Sequence, residues 1–185
     1  MACLVSVTGW LIGHTRVDRD MTRTLADERE AARLAEAAVQ LAALALGRVP
    51  DWSRVDALAL PLSCADAPGP LVGLDAAAET SRVQAIEDAA SRWGVDTPRW
   101  RLAWQCHAAG VLVAWPRAGT TPSVGIWVGD DVEGDGAPWI DTNQRIRVLG
   151  VVAGRGGARS SQVVTIARSA SGAPVTLLAW RSGQY

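Results

Sequence analysis

Cys106-His107 is the one place in the chain where a thiol and an imidazole are neighbours. A cysteine at a strand end that feeds a helix N-terminus has a lowered pKa and serves as a nucleophile. Cys106 is therefore the candidate catalytic residue. Adjacent side chains of a strand point to opposite faces, however, so sequence adjacency does not make a dyad. The competing reading of Cys106 is an inert core residue. A second candidate is the glycine-rich turn from Gly150 to Arg159, where Arg155 and Arg159 form an anion-binding pair. That turn lacks the third glycine of a dinucleotide fingerprint, and no helix pattern follows it. The alternative there is a tight turn between strands. The third stretch is acidic. Asp131, Glu133 and Asp135, followed by Gly136, match the opening of a calcium loop. Position 12 falls on Thr142, which supplies no bidentate carboxylate, so an exposed acidic loop is expected and no metal. The two histidines, His14 and His107, do not have zinc-ligand spacing. No cofactor motif is present.

Composition removes further chemistry. All 18 basic residues are arginine. Without lysine there is no Gly-Lys-Ser/Thr phosphate loop, no Schiff base and no lysine general base. The three cysteines, Cys3, Cys64 and Cys106, are odd in number and lack paired spacing. This predicts free thiols and a reducing cytoplasm. Leu4–Ile12 has no basic leader before it and reads as a buried strand rather than a signal peptide. The uncharged run Leu102–Pro116 is too short for a spanning helix, so no membrane anchor is expected.

The net charge of −1 is unevenly spread. Residues 1–96 hold 14 acids and nine Arg, whereas residues 142–185 hold six Arg and no acid. Either those six pair with the acidic helices of the same fold, or they form an anion-facing surface. A near-neutral total speaks against nucleic acid as a partner. Nine Trp accompany a single Tyr and no Phe, and six of the Trp fall between Trp93 and Trp139. They serve either as core filler or as a binding wall.

The elements that must position these residues follow from periodicity. Residues 2–12 read as a first strand. Thr24 has Asp27 three residues later, which marks an N-cap, and Leu34, Ala38, Leu41 and Ala45 recur at helical spacing until Gly47. Arg54–Leu62 reads as a second strand with Pro61 near its end. A second helix is expected over 76–93, with Val83, Ile86, Ala90 and Trp93 on its inner face. Trp100–His107 alternates as a third strand. Residues 108–117 read either as a short helix or as a hairpin arm. Strands follow near 123–128, 144–153, 161–168 and 173–180, the last two joined by Ser169-Ala170-Ser171-Gly172. The expectation is one α/β domain over 1–185. It has a β-α-β-α-β start, a mixed sheet flanked by two main helices, and a β-rich C-terminal half.

This order resembles the N-terminal half of a thiolase-fold, β-ketoacyl synthase-like protein. Val5-Ser-Val-Thr-Gly-Trp10 is similar to the first strand of ketosynthases. Asp51-Trp-Ser-Arg-Val-Asp-Ala-Leu58 is similar to the second strand, and Cys106 stands where the superfamily places its nucleophile. Ser123–Asp130 is similar to the next core strand. Gly110 lies four residues past the cysteine, and no His follows His107. The resemblance therefore implies an accessory or degenerate subunit of fatty-acid or polyketide-type assembly. Such a subunit has no condensation activity of its own and acts in a homo- or hetero-oligomer with an acyl-carrier protein or a ketosynthase subunit. The alternative reading is a non-catalytic assembly or binding module with a Trp-rich interface and an Arg-rich, anion-facing surface.

Overall fold

The computed structural model describes residues 2–64, 71, 73–90, 97–108, 121–132, 134, 136–168 and 175–182, with the backbone alone for residues 2–14 and 182. Its first element is a single helix, α1 (Ala2–Leu46). At about 1.5 Å per residue it is roughly 68 Å long. The strand expected over 2–12 is therefore helical. A short apolar run does not fix its own period. Here it joins a helix already nucleated downstream, and each added residue costs no new nucleation. Thr24 is not an N-cap either. Its hydroxyl donates to the Asp20 carbonyl one turn back, as the Thr22 hydroxyl does to Asp18. The C-terminal stop lies at Gly47, whose N–H donates to the Ala43 carbonyl.

Residues 54–62 do not pair as a strand. A 3-10 turn at Val55–Ala57 leads into an extended segment. In that segment Leu58 and Leu60 are buried while Ala59 and Pro61 face outward. The alternation read from the sequence is real, but no ladder forms, and Pro61 has no N–H to give. Helix α2 (Ala76–Ala90) is capped by Asp75, whose Oδ1 accepts the N–H groups of Ala77 and Ala78. Five strands complete the fold: β1 (Arg101–His107), β2 (Ser123–Asp130), β3 (Arg145–Ala153), β4 (Arg159–Ala167) and β5 (Thr176–Ser182). They pair in sequence order, each antiparallel to the last. The fold is thus helical and β-rich as expected, but the order is α-α-β-β-β-β-β. The sheet is an antiparallel meander and not a mixed sheet. The helix-or-hairpin choice at 108–117 falls almost wholly outside the described residues.

The strand period sorts the core into two faces. Val124, Ile126 and Val128 of β2 pack against α1, together with Ile146, Val148 and Val152 of β3 and Val164 and Ile166 of β4. Trp127, Leu149, Val151 and Val163 form the opposite face with Val83 of α2, Leu74 and Trp100. Every residue of β2 is buried, because it is covered on both sides. A bulge between Leu102 and Trp104 breaks the expected alternation in β1. Leu102 packs with the α2 cluster and Trp104 with the α1 cluster.

Helix α1 approaches the sheet through small residues: Ala31, Ala35, Ala38, Ala42 and Ala45 are all buried. Beneath them a Cβ on Gly150 would lie 2.9 Å from Val39 Cγ2 and 3.0 Å from the Ala35 carbonyl oxygen. The helix backbone cannot yield there without leaving the sheet. Gly150→Ala is therefore expected to destabilise the protein by about 1–3 kcal/mol through overpacking, read as a lower urea midpoint with unchanged m-value.

Cys64 and Cys106 are joined in a disulfide, with Cα atoms 5.7 Å apart and 42 residues between them in sequence. This corrects the expectation of free thiols. The cysteine count and spacing carry no trace of a pair that only the fold brings together. Closing a loop of that length restricts the unfolded chain, so Cys64→Ser with Cys106→Ser is expected to cost about 4 kcal/mol. Thermal melts of the oxidised and double-serine proteins measure it.

Candidate functional site

The residues singled out for chemistry do not converge. The Cys106 sulfur is bonded to Cys64 and its side chain is buried, so it presents no thiolate. His107 pairs with Ser123 at the end of β1, and its Nδ1 is buried without a hydrogen-bond partner. No nucleophile–base pair exists between Cys106 and His107. Arg155 opens a 3-10 turn (Arg155–Gly157) and Arg159 follows it at the start of β4, yet they line different grooves. Arg155 faces the stalk side, with Asp20, Arg23, Asp27 and Glu28. Arg159 faces α2, with Asp75, Glu79 and Arg82. The acidic loop after Asp130 lies at the other end of β3 from that turn. Nine residues of strand separate the two loops, roughly 30 Å. Carboxylates and arginines therefore cannot share one phosphate site. Glu133 and Asp135 lie outside the described residues.

The C-terminal arginines have other tasks. Helix α2 buries Glu79, Val83 and Glu87 at four-residue spacing, so its inner face carries two acids. Arg159 and Arg82 both bind the Glu79 carboxylate. Arg147 binds Glu87 at 2.6 Å and stacks over the Trp100 ring at 5.0 Å. Trp100 Nε1 donates to Glu87, and Trp127 Nε1 donates to the Thr80 hydroxyl at 2.8 Å. Arg168 donates to the Val49 and Pro50 carbonyls and lies over Trp52, whose own N–H donates to Leu46. Trp52, Trp100 and Trp127 are thus core residues with satisfied N–H groups, as buried indoles require. Among the core-facing arginines the internal pairing wins over an anion-facing surface. Nearby, the Asp51 carboxyl is held below its ordinary range, first by the Ser53 N–H, then by the Ser53 hydroxyl. Burial pulls the Arg101 guanidinium down from its usual value.

What remains exposed defines a different site. Every residue from Thr15 to Ala26 is solvent-exposed, so about three turns of α1 stand clear of the sheet on all sides. Within them Val17, Met21 and Leu25 are 56%, 60% and 47% exposed. Spacing of four residues places them on one face of the helix. Sequence reasoning missed this stalk because it began the helix at Thr24. The unbroken helical spacing of Val17, Met21 and Leu25 was the available signal. At the far edge of the sheet, β5 exposes Leu177, Leu178 and Trp180. Among the described residues no three potential metal ligands meet, and no helix is long and apolar enough to cross a membrane.

Taken as an architecture, the chain is an α/β head, with one helix on each face of an antiparallel meander, carried on a helical extension. No protein-family model, curated protein or solved structure matches it.

The buried acid–arginine pairs separate from surface ones by a stability test. Glu87→Ala removes the carboxylate that binds Arg147, which is only 12% exposed, and with it the acceptor of the Trp100 N–H. A loss of about 3–5 kcal/mol is expected. Asp56→Ala breaks the Arg54–Asp56 pair, whose partners are 64% and 35% exposed, and is expected to cost about 0–1 kcal/mol. Urea unfolding of the two variants gives the comparison.

Proposed function

We propose that the chain is a non-catalytic assembly module whose free helical stalk packs against helices of other subunits, copies of this chain included. The observation that carries the reading is the stalk itself. A three-turn helical stretch whose every residue is exposed gains little from tertiary packing, and short helices are marginal in water on propensity alone. An apolar stripe along such a stretch is the mark of a partner surface. The sequence from Ala2 to Gly13, which continues the same helix, carries no charged residue.

The rest of the molecule supports an interaction role. The only thiol–imidazole neighbours are disabled as a dyad, and the arginines of the candidate anion pair lie in separate grooves. The Cys64–Cys106 bond supports an oxidising compartment in place of the reducing cytoplasm expected from cysteine spacing. The thiolase-fold reading keeps its statement that the chain acts through partners without condensing on its own. Its first two strands are a helix and an unpaired segment here, and we prefer the assembly reading without an acyl-carrier role.

The test is sedimentation of the full chain against Val17→Glu/Met21→Glu/Leu25→Glu. All three positions are exposed, so the head should melt within about 0.5 kcal/mol per site of the parent. The parent is expected to form species larger than a dimer as concentration rises, and the triple variant to lose them. Equal size distributions in the two proteins would sink the reading.

A further inference from the structure

A sheet that ends in strands offers two rows of unpaired N–H and C=O groups, and natural proteins guard such edges. This chain guards one of them. The extended segment 58–64 is pinned to β1 at both ends. Arg101 Nη2 donates to the Leu58 carbonyl at one end, and the Cys64–Cys106 disulfide closes the other. Pro61 faces outward in this cover. The β5 edge has no such cover among the described residues. Thr176 to Arg181 of β5 are all exposed, with Leu177 at 50%, Leu178 at 49% and Trp180 at 39%. Arg181 is its single charge, and no acid stands anywhere in residues 142–185.

We propose that β5 is the contact surface for a second copy of this chain, strand against strand about a two-fold axis. The occupant follows from the two edges. A second copy offers the same pair, and its β1 edge is closed, so only its β5 edge is open to pair. The contact is then isologous. The chemistry of β5 fits itself. A bulge at Leu178 turns Leu177 and Trp180 to the same face, since Leu177 pairs with Ile166 and Trp180 with Val164 on β4. An axis through Ala179 sets Leu177 against the partner's Trp180, an apolar–aromatic cross-strand pair. It sets Thr176 against the partner's Arg181 and keeps the two like charges apart. One strand edge with three apolar side chains is small for an interface, so a dissociation constant on the order of 10–100 µM is expected.

This surface extends the assembly reading but is separate from the stalk, and the experiment keeps them apart. In the Val17→Glu/Met21→Glu/Leu25→Glu background, stalk packing is silenced. Sedimentation velocity from about 10 µM to about 1 mM then reads the remaining association. A monomer–dimer equilibrium is expected, with slower amide exchange in β5 as concentration rises. Adding Leu177→Lys and Trp180→Lys places the residue type that guards natural edges on an exposed strand, where the core is untouched. This should weaken the dimer at least about tenfold while leaving the melting temperature in place. A background protein that stays monomeric at the highest concentration overturns the proposal. So does a dimer that survives both lysines unchanged.

Discussion

A mismatch of lengths governs this molecule. The longest strands have nine residues and span about 30 Å, while α1 is more than twice as long. Only its C-terminal half can find sheet beneath it. Burial agrees: from Thr15 onward the first buried residue of α1 is Ala31, and the pattern continues to Leu46. The remaining helix must either pack on something else or stand in water. Close seating of the packed half, alanines over Gly150, holds the axis rigidly against the sheet. The overhang therefore leaves the head in a fixed direction, past the β3–β4 turn, where Asp27 lies near Gly156. Rigid projection is what lets a helix act as a docking element rather than a fraying terminus.

The second helix is bound on different terms. The buried inner face of α2 carries Glu79 and Glu87 around a single buried valine. Removing one partner of a buried pair is far costlier than the net worth of the pair itself. Such pairing specifies position more than it stabilises. Glu79 meets Arg159 near the start of β4, and Glu87 meets Arg147 near the start of β3. Two carboxylates two helical turns apart thus fix both the tilt and the translation of α2 across the sheet. Part of the uneven charge along the sequence is thus matched internally, with Glu79 and Glu87 of α2 bound by Arg159 and Arg147 of the late strands.

This explains what could be read from the sequence and what could not. The strands β1 to β5 were legible because each is a local pattern of alternation or a β-branched run; the turn expected at 169–172 lies outside the described residues. The stop of α1 at Gly47 was legible for the same reason. The buried face of α2 was not. Its acids are neutralised by arginines 60 and 80 residues away, and no local period displays that. An apolar search chose Ile86 and Ala90, where the fold chose Glu79 and Glu87. The disulfide escaped for a similar reason, since its cysteines meet only when segment 58–64 lies along β1. The stalk escaped because a strand and the start of a helix look alike over ten apolar residues, and because Thr24 with Asp27 imitates a cap.

The face on which the stalk stripe lies follows from the packed half of α1. Leu34, Leu41 and Leu44 of α1 face a groove shared with Ala108 and Val124, so that side of the helix looks toward β1 and β2. Val39 sits over Gly150 on β3. Stepping back from Val39 by three and four residues along the helix face leads through Glu36, Ala32 and Glu28 to Leu25, Met21 and Val17. The apolar stripe of the stalk therefore continues the line of Val39, the sheet-facing side of the helix, beyond the end of the sheet. On the β1 flank the sheet edge is covered and covalently pinned. At β5 the sheet edge is bare among the described residues, and the helix stripe is bare past the end of the sheet. A head with one sheet edge closed and the other open, and with its helix stripe bare only past the end of the sheet, can add neighbours at two places only, and that restriction suits an ordered assembly better than indiscriminate sticking.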